Sequence, residues 1–190
     1  MRELDRPIWH ALTTRQRCFA QGSELALCFD PRVSPFAACR DNEPASLEAL
    51  AALAPETPDI DDMVELANVT KPGPFLPDTS RLGGFVGIRV DGRLAAMVGE
   101  RLKLGSYTEV SAVCTHPDFR GRGMAAQLSS LVVERILTRG ERPFLHAFAD
   151  NHQAIRLYEQ LGFARRCDMN VLALVPRGHQ AKTSPLPHVR

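Results

Sequence analysis

The stretch SAVCTHPDFRGRGMAAQL, residues 111–128, decides the fold. Its first five residues are small, apolar or β-branched, as in a buried strand. Pro117 marks the end of that strand, because proline cannot donate a hydrogen bond to a sheet. The apolar residues that follow recur at helical spacing; they are Met124, Leu128, Leu131, Val132 and Ile136. The stretch therefore predicts a strand, a tight loop with two glycines, and a helix.

The loop RGRGMA, residues 120–125, predicts a site for an anion. Gly121 and Gly123 let backbone N–H groups turn inward, and the helix start adds the positive end of its dipole. No acidic residue lies between Phe119 and Leu131. This combination is typical of phosphate or pyrophosphate binding. A simple turn before an amphipathic helix is the alternative, whereas a nucleic-acid segment is excluded because aromatic residues do not interleave with a basic run.

Composition limits the class of protein. A chain of 190 residues can bury one substantial core with room for an appended subdomain, and its net charge of +1 gives no general attraction to nucleic acid. No apolar run approaches the roughly 20 residues that a membrane helix needs. The five cysteines form no CxxC pair and no cluster with histidine. We therefore expect a cytoplasmic protein with reduced thiols and without a metal site or a membrane partner.

The first 84 residues carry weaker signals. Residues 13–20 predict a helix, 25–29 a short strand, and 47–53 a helix that Pro55 ends. Residues 59–67 are ambiguous between helix and strand, and we interpret their acidic cluster as a solvated turn. The three prolines and three glycines of residues 71–84 predict a loop and a boundary.

From residue 85 onward the pattern alternates clearly between strands and turns. Asp91 and Gly92 form a hairpin signal, and the helix after the loop should end near Gly140. Asn151 is predicted to cap a short helix that Gly162 closes. The strand after the loop helix should lie parallel to its partner, because a helical crossover precedes it. The predicted strands are 85–90, 93–102, 107–115, 143–149, 163–167 and 169–175.

Two motifs in this order of elements resemble the GNAT superfamily of acyl-CoA-dependent N-acyltransferases. The family's phosphate loop, Q/R-x-x-G-x-G/A, is matched by residues 120–125. Its second signature, N-x-x-A-x-x-L/F-Y-x-x-x-G-F, is matched by residues 151–163. The resemblance covers about residues 81–175, and the motifs are most similar to those of the subgroup related to glycine N-acyltransferases.

The resemblance implies an α/β fold of the α+β type. Its mixed central sheet has helices on both faces and a V-shaped splay between the strands that flank the loop helix. Residues 81–175 would form the acyl-CoA-binding catalytic domain. Residues 1–80 would be a degenerate N-terminal segment that helps to form the acceptor site, and 176–190 a flexible tail. A homodimer is expected from the family.

The resemblance also implies acetyl-CoA as co-substrate. Backbone amides of the loop would hold the pyrophosphate, the strand before it would pair with the pantetheine arm, and Asn151 would position that arm. The Val113 N–H is the candidate oxyanion donor. The implied binding residues are Val113, Cys114, Thr115, Arg120, Gly121, Arg122, Gly123, Met124, Ala125 and Asn151.

The implied reaction is direct attack of a primary amine on the thioester through a tetrahedral intermediate. Tyr158 matches the family's general acid. Strand alternation places Glu109, Ser111, Val113 and Thr115 on one face, so Glu109 is the first candidate for the base. Glu100 is the rival, and a water chain without a dedicated base stays open. Taken alone, Tyr158 could be a core tyrosine.

One histidine and one cysteine are interpreted as structural residues. We interpret His146 as a core or slot-lining residue and Cys114 as a small apolar filler in a buried strand. The acceptor, a small molecule or a peptide amine, cannot be read from the motifs. A catalytically silent CoA-binding sensor is the alternative function.

Overall fold

The computed structural model describes residues 16–32 and 56–176. The helix predicted at 47–53 and the tail predicted after Pro176 lie outside these residues. The strands are β1 (Gln16–Phe29), β2 (Val86–Val90), β3 (Arg93–Leu104), β4 (Tyr107–Thr115), β5 (Arg142–Phe148) and β6 (Phe163–Pro176). The helices are α1 (Ile60–Thr70), α2 (Met124–Thr138) and α3 (His152–Gln160), with short 3-10 helices at Pro77–Leu82 and Pro117–Phe119.

The six strands form one mixed sheet in the order β2-β3-β4-β5-β1-β6. All neighbours are antiparallel except β4 and β5, which are parallel. The predicted parallel pair is therefore confirmed, and its cause is the crossover through α2. The mixed α/β architecture expected from the resemblance is confirmed as well.

The parallel pair β4–β5 separates soon after it begins. Its register contains only the pairs Tyr107↔Arg142, Thr108↔Pro143 and Glu109↔Phe144. Beyond these pairs β4 continues against β3 and β5 continues against β1. An opening therefore forms between β4 and β5 toward their carboxyl ends, and we call it the β4–β5 opening.

Helices cover both faces of the sheet. Leu128 and Val132 of α2 pack in one cluster with Val98 of β3. Met63 of α1 packs in a second cluster with Met97 of β3. Because successive strand residues point to opposite faces, α1 and α2 lie on opposite sides of the sheet. Tyr158 and Leu161, at the end of α3, belong to the α2-side cluster.

Strand β1 differs from the sequence prediction. Residues 16–20, predicted as the end of a helix, are part of this strand, whereas the strand predicted at 25–29 is confirmed. The physical reason is the antiparallel pairing of residues 16–20 with β6, from Gln16↔Pro176 to Ala20↔Leu172. Sheet pairing over that length outweighs the local helix signals. Likewise, the two strands predicted at 163–175 are one continuous strand, β6.

The ambiguous acidic segment is helical. Residues 60–70 form α1, with Met63 and Leu66 buried, so the interpretation as a solvated turn is wrong. The Arg89 guanidinium forms ion pairs with Asp62 of α1 and with Asp59 just before it, whereas Asp61 and Glu65 are exposed. These contacts fix the start of α1 against β2.

Candidate active site

The loop between β4 and α2 has the geometry of an anion site. Gly121 and Gly123 have φ of 76° and 74°, the left-handed region that favours glycine. The Gln127 N–H donates to the Gly123 carbonyl at 3.1 Å. The N–H groups of the three residues between them therefore lack an intrahelical acceptor. A Cβ on Gly121 would meet no atom within 4 Å, so the space beside the loop is open.

Guanidinium groups surround this loop. The Arg122 and Arg93 side chains lie over the Phe119 ring, at 5.3 and 5.5 Å from its centroid. The Arg120 Nε donates to the Thr115 carbonyl at 3.4 Å. Sequence reasoning missed Arg93, because it begins β3, far from the motif in the chain. The positive charge adds to the free N–H groups in favouring an anion.

Strand β4 contains a bulge beside the β4–β5 opening. Ala112 has φ of 53°, and the register passes from Met97↔Cys114 to Gly99↔Ser111. Ala112 and Val113 thus stand opposite a single residue of β3, which is the geometry of a β-bulge. Neither has a partner in the β3 or the β5 register. The bulge therefore interrupts the register of β4 where the sheet opens.

The bulge reverses the alternation of side chains. Val113 packs against the same α2-side cluster as Val110, while Ala112 and Cys114 pack with the α1-side cluster. The prediction that Val113 shares a face with Glu109 is therefore wrong. The cause is the extra residue at the bulge, which shifts the two-residue period by one.

Tyr158 lies close to β4 although it is far away in sequence. Burial, and secondarily the nearby Cys114 thiol, raise the pKa of the phenol well above its ordinary value. Burial likewise raises the pKa of the Cys114 thiol to about 11. Both groups hold their protons at neutral pH. Cys114 is therefore neutral, which agrees with its interpretation as an apolar filler.

Asn151 caps α3 as predicted. Its Oδ1 accepts a hydrogen bond from the Ala154 N–H at 3.2 Å. The oxygen is thus engaged in the cap, and the contact of Asn151 with the pantetheine arm stays a prediction.

Glu109 is a buried carboxylate with three hydrogen bonds. Arg101 donates from Nε to Oε2 at 2.8 Å and from Nη2 to Oε1 at 2.6 Å. His146 Nδ1 lies 2.7 Å from Oε1. Burial raises the pKa of Glu109, but the hydrogen bonds from His146 and Arg101 outweigh it and hold the pKa below its ordinary value. Glu109 is therefore a carboxylate at neutral pH.

Glu100 lies elsewhere. It stands opposite Val110 in the register, so its side chain points to the α2 side of the sheet, away from Glu109. There it forms ion pairs with Arg139 at 2.9 Å and Lys103 at 3.3 Å. Arg139 follows the last residue of α2. Glu100 is thus near the carboxyl end of α2. A helix of 15 residues places that end about 22 Å from the glycine loop. The two glutamates are not brought together.

A cleft adjoins the bulge on the Glu109 face. It is open to solvent, and we call it the 72–79 cleft after the segment that lines it. Its lining residues are Pro72, Gly73, Pro74, Phe75, Thr79, Phe85, Arg101, Ser111 and Ala112. It therefore joins the loop before β2 to the strand that carries Glu109.

In residues 16–32 and 56–176, no group of three or more His, Cys, Asp or Glu side chains could hold a metal ion. Within the described part of the chain, no helix is long and apolar enough to cross a membrane.

Both a family model and solved structures match this chain. Residues 85–171 match the FR47-like protein family. A protein of Novosphingobium aromaticivorans assigned to the GNAT acetyltransferases is 35% identical, with a TM-score of 0.65 over 85% of this chain and 66% of that one. A GNAT-family acetyltransferase of Colwellia psychrerythraea shares the fold, with a TM-score of 0.60 at 13% identity over 88% of this chain and 61% of that one.

Curated relatives add a second line of similarity. The mycothiol acetyltransferase of Cellulomonas flavigena is 30% identical over 117 residues, which are 56% of this chain and 34% of that protein. That of Corynebacterium aurimucosum is 35% identical over 60 residues, which are 31% of this chain and 20% of that protein. The matched parts thus span about a third or less of these relatives. The glycine N-acyltransferase-like subgroup stays a prediction, but the chain belongs to the GNAT family of acetyltransferases.

Proposed function

We propose that the protein transfers an acetyl group from acetyl-CoA to a primary amine. The observation that carries this proposal is the β4–β5 opening. It has the bulge at Ala112 and Val113 on one wall, Tyr158 close to that wall, and the glycine loop directly after β4. One opening thus adjoins the candidate anion loop, two residues without a register partner, and a protonated phenol.

The residues around the opening fit an acyl-CoA. The free N–H groups at the start of α2 and the guanidinium of Arg122 would hold the pyrophosphate. The backbone from Val113 to Thr115 would pair with the pantetheine arm, because β5 no longer occupies that edge. When bound, the thioester supplies the activated acyl carbon.

Two groups of the chain would stabilise the developing charges. The Val113 N–H, at the bulge where Val113 has no register partner, would donate to the oxygen that becomes negative. Tyr158 would give a proton to the departing sulfur, because its buried phenol is still protonated at neutral pH. Of the two glutamates considered as base, Glu109 lies at the vertex of the opening, whereas Glu100 lies near the far end of α2.

The 72–79 cleft is the proposed entry for the amine. It reaches the bulge from the face that carries Arg101 and Glu109. We assign acyl-CoA binding and catalysis to residues 81–175 and acceptor contacts to the first 80 residues. The first 80 residues also contribute β1 to the same sheet. Because two relatives are mycothiol acetyltransferases, the amine that those enzymes acetylate belongs in the test panel.

The test combines binding with turnover. Acetyl-CoA at about 100 times its Kd should stabilise the protein by about 2.7 kcal/mol, seen as a higher Tm. CoA release, followed by chromatography, should depend on an amine from a panel of amino acids, polyamines, aminosugars and peptides. Stabilisation without release for any amine would favour the alternative, a silent CoA-binding sensor. No stabilisation at millimolar acetyl-CoA overturns both.

A further inference from the structure

We propose that His146 Nε2 accepts the proton that the acceptor amine loses, and that Glu109 positions His146 instead of taking this proton itself. The inference rests on the proposed acetyl transfer. The N–C bond forms first and gives the tetrahedral intermediate, and the C–S bond breaks as this intermediate collapses. The amine proton moves to His146, and Tyr158 gives its proton to the sulfur. His146 then returns its proton, through solvent, to Tyr158.

The hydrogen bond to Glu109 determines which nitrogen of His146 is free. A carboxylate only accepts hydrogen bonds, so the proton of the neutral ring must be on Nδ1, 2.7 Å from Glu109 Oε1. The lone pair is then on Nε2. No residue in the described part of the chain hydrogen-bonds to Nε2. The Phe144 ring packs edge-on against the imidazole, 5.6 Å between centroids, and limits its rotation.

Glu109 itself is poorly placed to accept the proton. Its side chain is 1% exposed, and both of its oxygens accept hydrogen bonds. A substrate proton could reach it only if Arg101 or His146 moved away. The same hydrogen bonds also weaken it as a base.

His146 is accessible where Glu109 is not. It is 15% exposed, and it lies two residues beyond Phe144, the last residue of β5 that pairs with β4. Its side chain thus lies where the two strands separate. The chain Arg101–Glu109–His146 crosses β3, β4 and β5 in that order, so a buried ion pair orients an accessible imidazole.

Other charged groups lie on the same face as His146 and act on it or on its partners. Glu109 contacts His146 directly, and Arg101 contacts it through Glu109. Glu24 of β1 is on the same face, two residues from Ala26, the partner of His146. Its charge also acts on Arg101. Any shift of an activity profile in a His146 variant must therefore be compared with a Glu24→Gln variant.

The first test does not depend on turnover. Nitrogen-15 spectra of histidine-labelled protein, with His146 assigned from the His146→Gln variant, should show the neutral ring protonated on Nδ1. A neutral ring protonated on Nε2 overturns the inference, whatever the enzyme acetylates.

The second test uses turnover with the most active alkylamine of the panel and with hydroxylamine, an amine already neutral at pH 7. His146→Gln should lower kcat for the alkylamine by about 100-fold or more, because loss of a general base costs about 10²- to 10⁴-fold. KM for acetyl-CoA should change little. The loss should be smaller with hydroxylamine, and added imidazole should partly restore His146→Ala.

Controls separate this inference from the proposed function. His152, exposed at the start of α3, gives the matched variant His152→Gln, which should keep the wild-type rate. An acetyl-CoA-induced rise in Tm shows that His146→Gln and His146→Ala are folded. A folded variant with wild-type kcat and pH profile overturns the role of His146 alone. A wild-type protein that releases no CoA for any amine overturns the proposed function.

Discussion

Glu109 and His146 face each other across the parallel strands β4 and β5, with 2.7 Å between Oε1 and Nδ1. The register ends at Glu109↔Phe144, so this side-chain hydrogen bond connects the two strands just beyond their last backbone pair. Arg101 extends the connection to β3. A single carboxylate thus joins three strands at the vertex of the opening. Its removal should affect both the shape of the site and its stability.

Tyr158→Phe removes only the proposed proton donor. Because phenylalanine keeps the buried ring, we expect no change of fold and little change in acetyl-CoA affinity. CoA release should fall on the order of 100-fold, the usual contribution of a positioned acid. Steady-state release and the acetyl-CoA-induced shift in Tm measure the two effects. Tyr107→Phe, at the chain's other tyrosine, is the control; equal rates for the two variants would remove Tyr158 from the mechanism.

Gly121→Ala should weaken acetyl-CoA binding without a clash inside the protein. The left-handed φ of 76° costs an alanine about 1 kcal/mol of folding free energy. The new Cβ would project into the open space proposed for the pyrophosphate. We expect about a tenfold increase in Kd by calorimetry.

Gly105→Ala provides a matched control for this change. Gly105 has φ of 60° and equally open surroundings, but it lies in the β3–β4 turn. Both variants should lose similar stability, and only Gly121→Ala should lose affinity. Equal affinities would place the anion site elsewhere.

Local sequence signals predicted the elements near the loop well, because these depend on neighbouring residues. The bounds of β4 and the Asn151 cap follow from alternation, from Pro117 and from capping preference. The bulge at Ala112 could not be predicted, since an alanine with positive φ leaves no mark in the sequence. The hydrogen-bonded contact of Arg101, Glu109 and His146 could not be predicted either, because it depends on the register between β4 and β5. The extent of β1 was set by neighbours more than 100 residues away.

Leu27→Ala tests whether β1 is an integral part of the core. Leu27 is fully buried in the α2-side cluster, between β5 and β6. The cavity should lower the free energy of unfolding by about 2–5 kcal/mol in urea titrations. Leu104→Ala removes the same atoms from a side chain that is 59% exposed and should cost at most about 0.5 kcal/mol. A small effect at Leu27 would mean that β1 is dispensable.

Glu109→Gln should make stability depend less on pH. The pKa of Glu109 is lowered in the folded protein, so its carboxylate adds stability above its ordinary pKa of 4.5. That contribution is lost as the pH falls through the lower folded value. At pH 7 the variant should be less stable by about 1.5–3 kcal/mol, the scale of hydrogen bonds to a charged group. Below pH 4.5 the difference from wild type should shrink. Glu134→Gln, at an exposed position of α2, should show no such difference. A gap that stays constant down to pH 3 in urea titrations would show that packing, and not the charge of Glu109, is what the substitution removes.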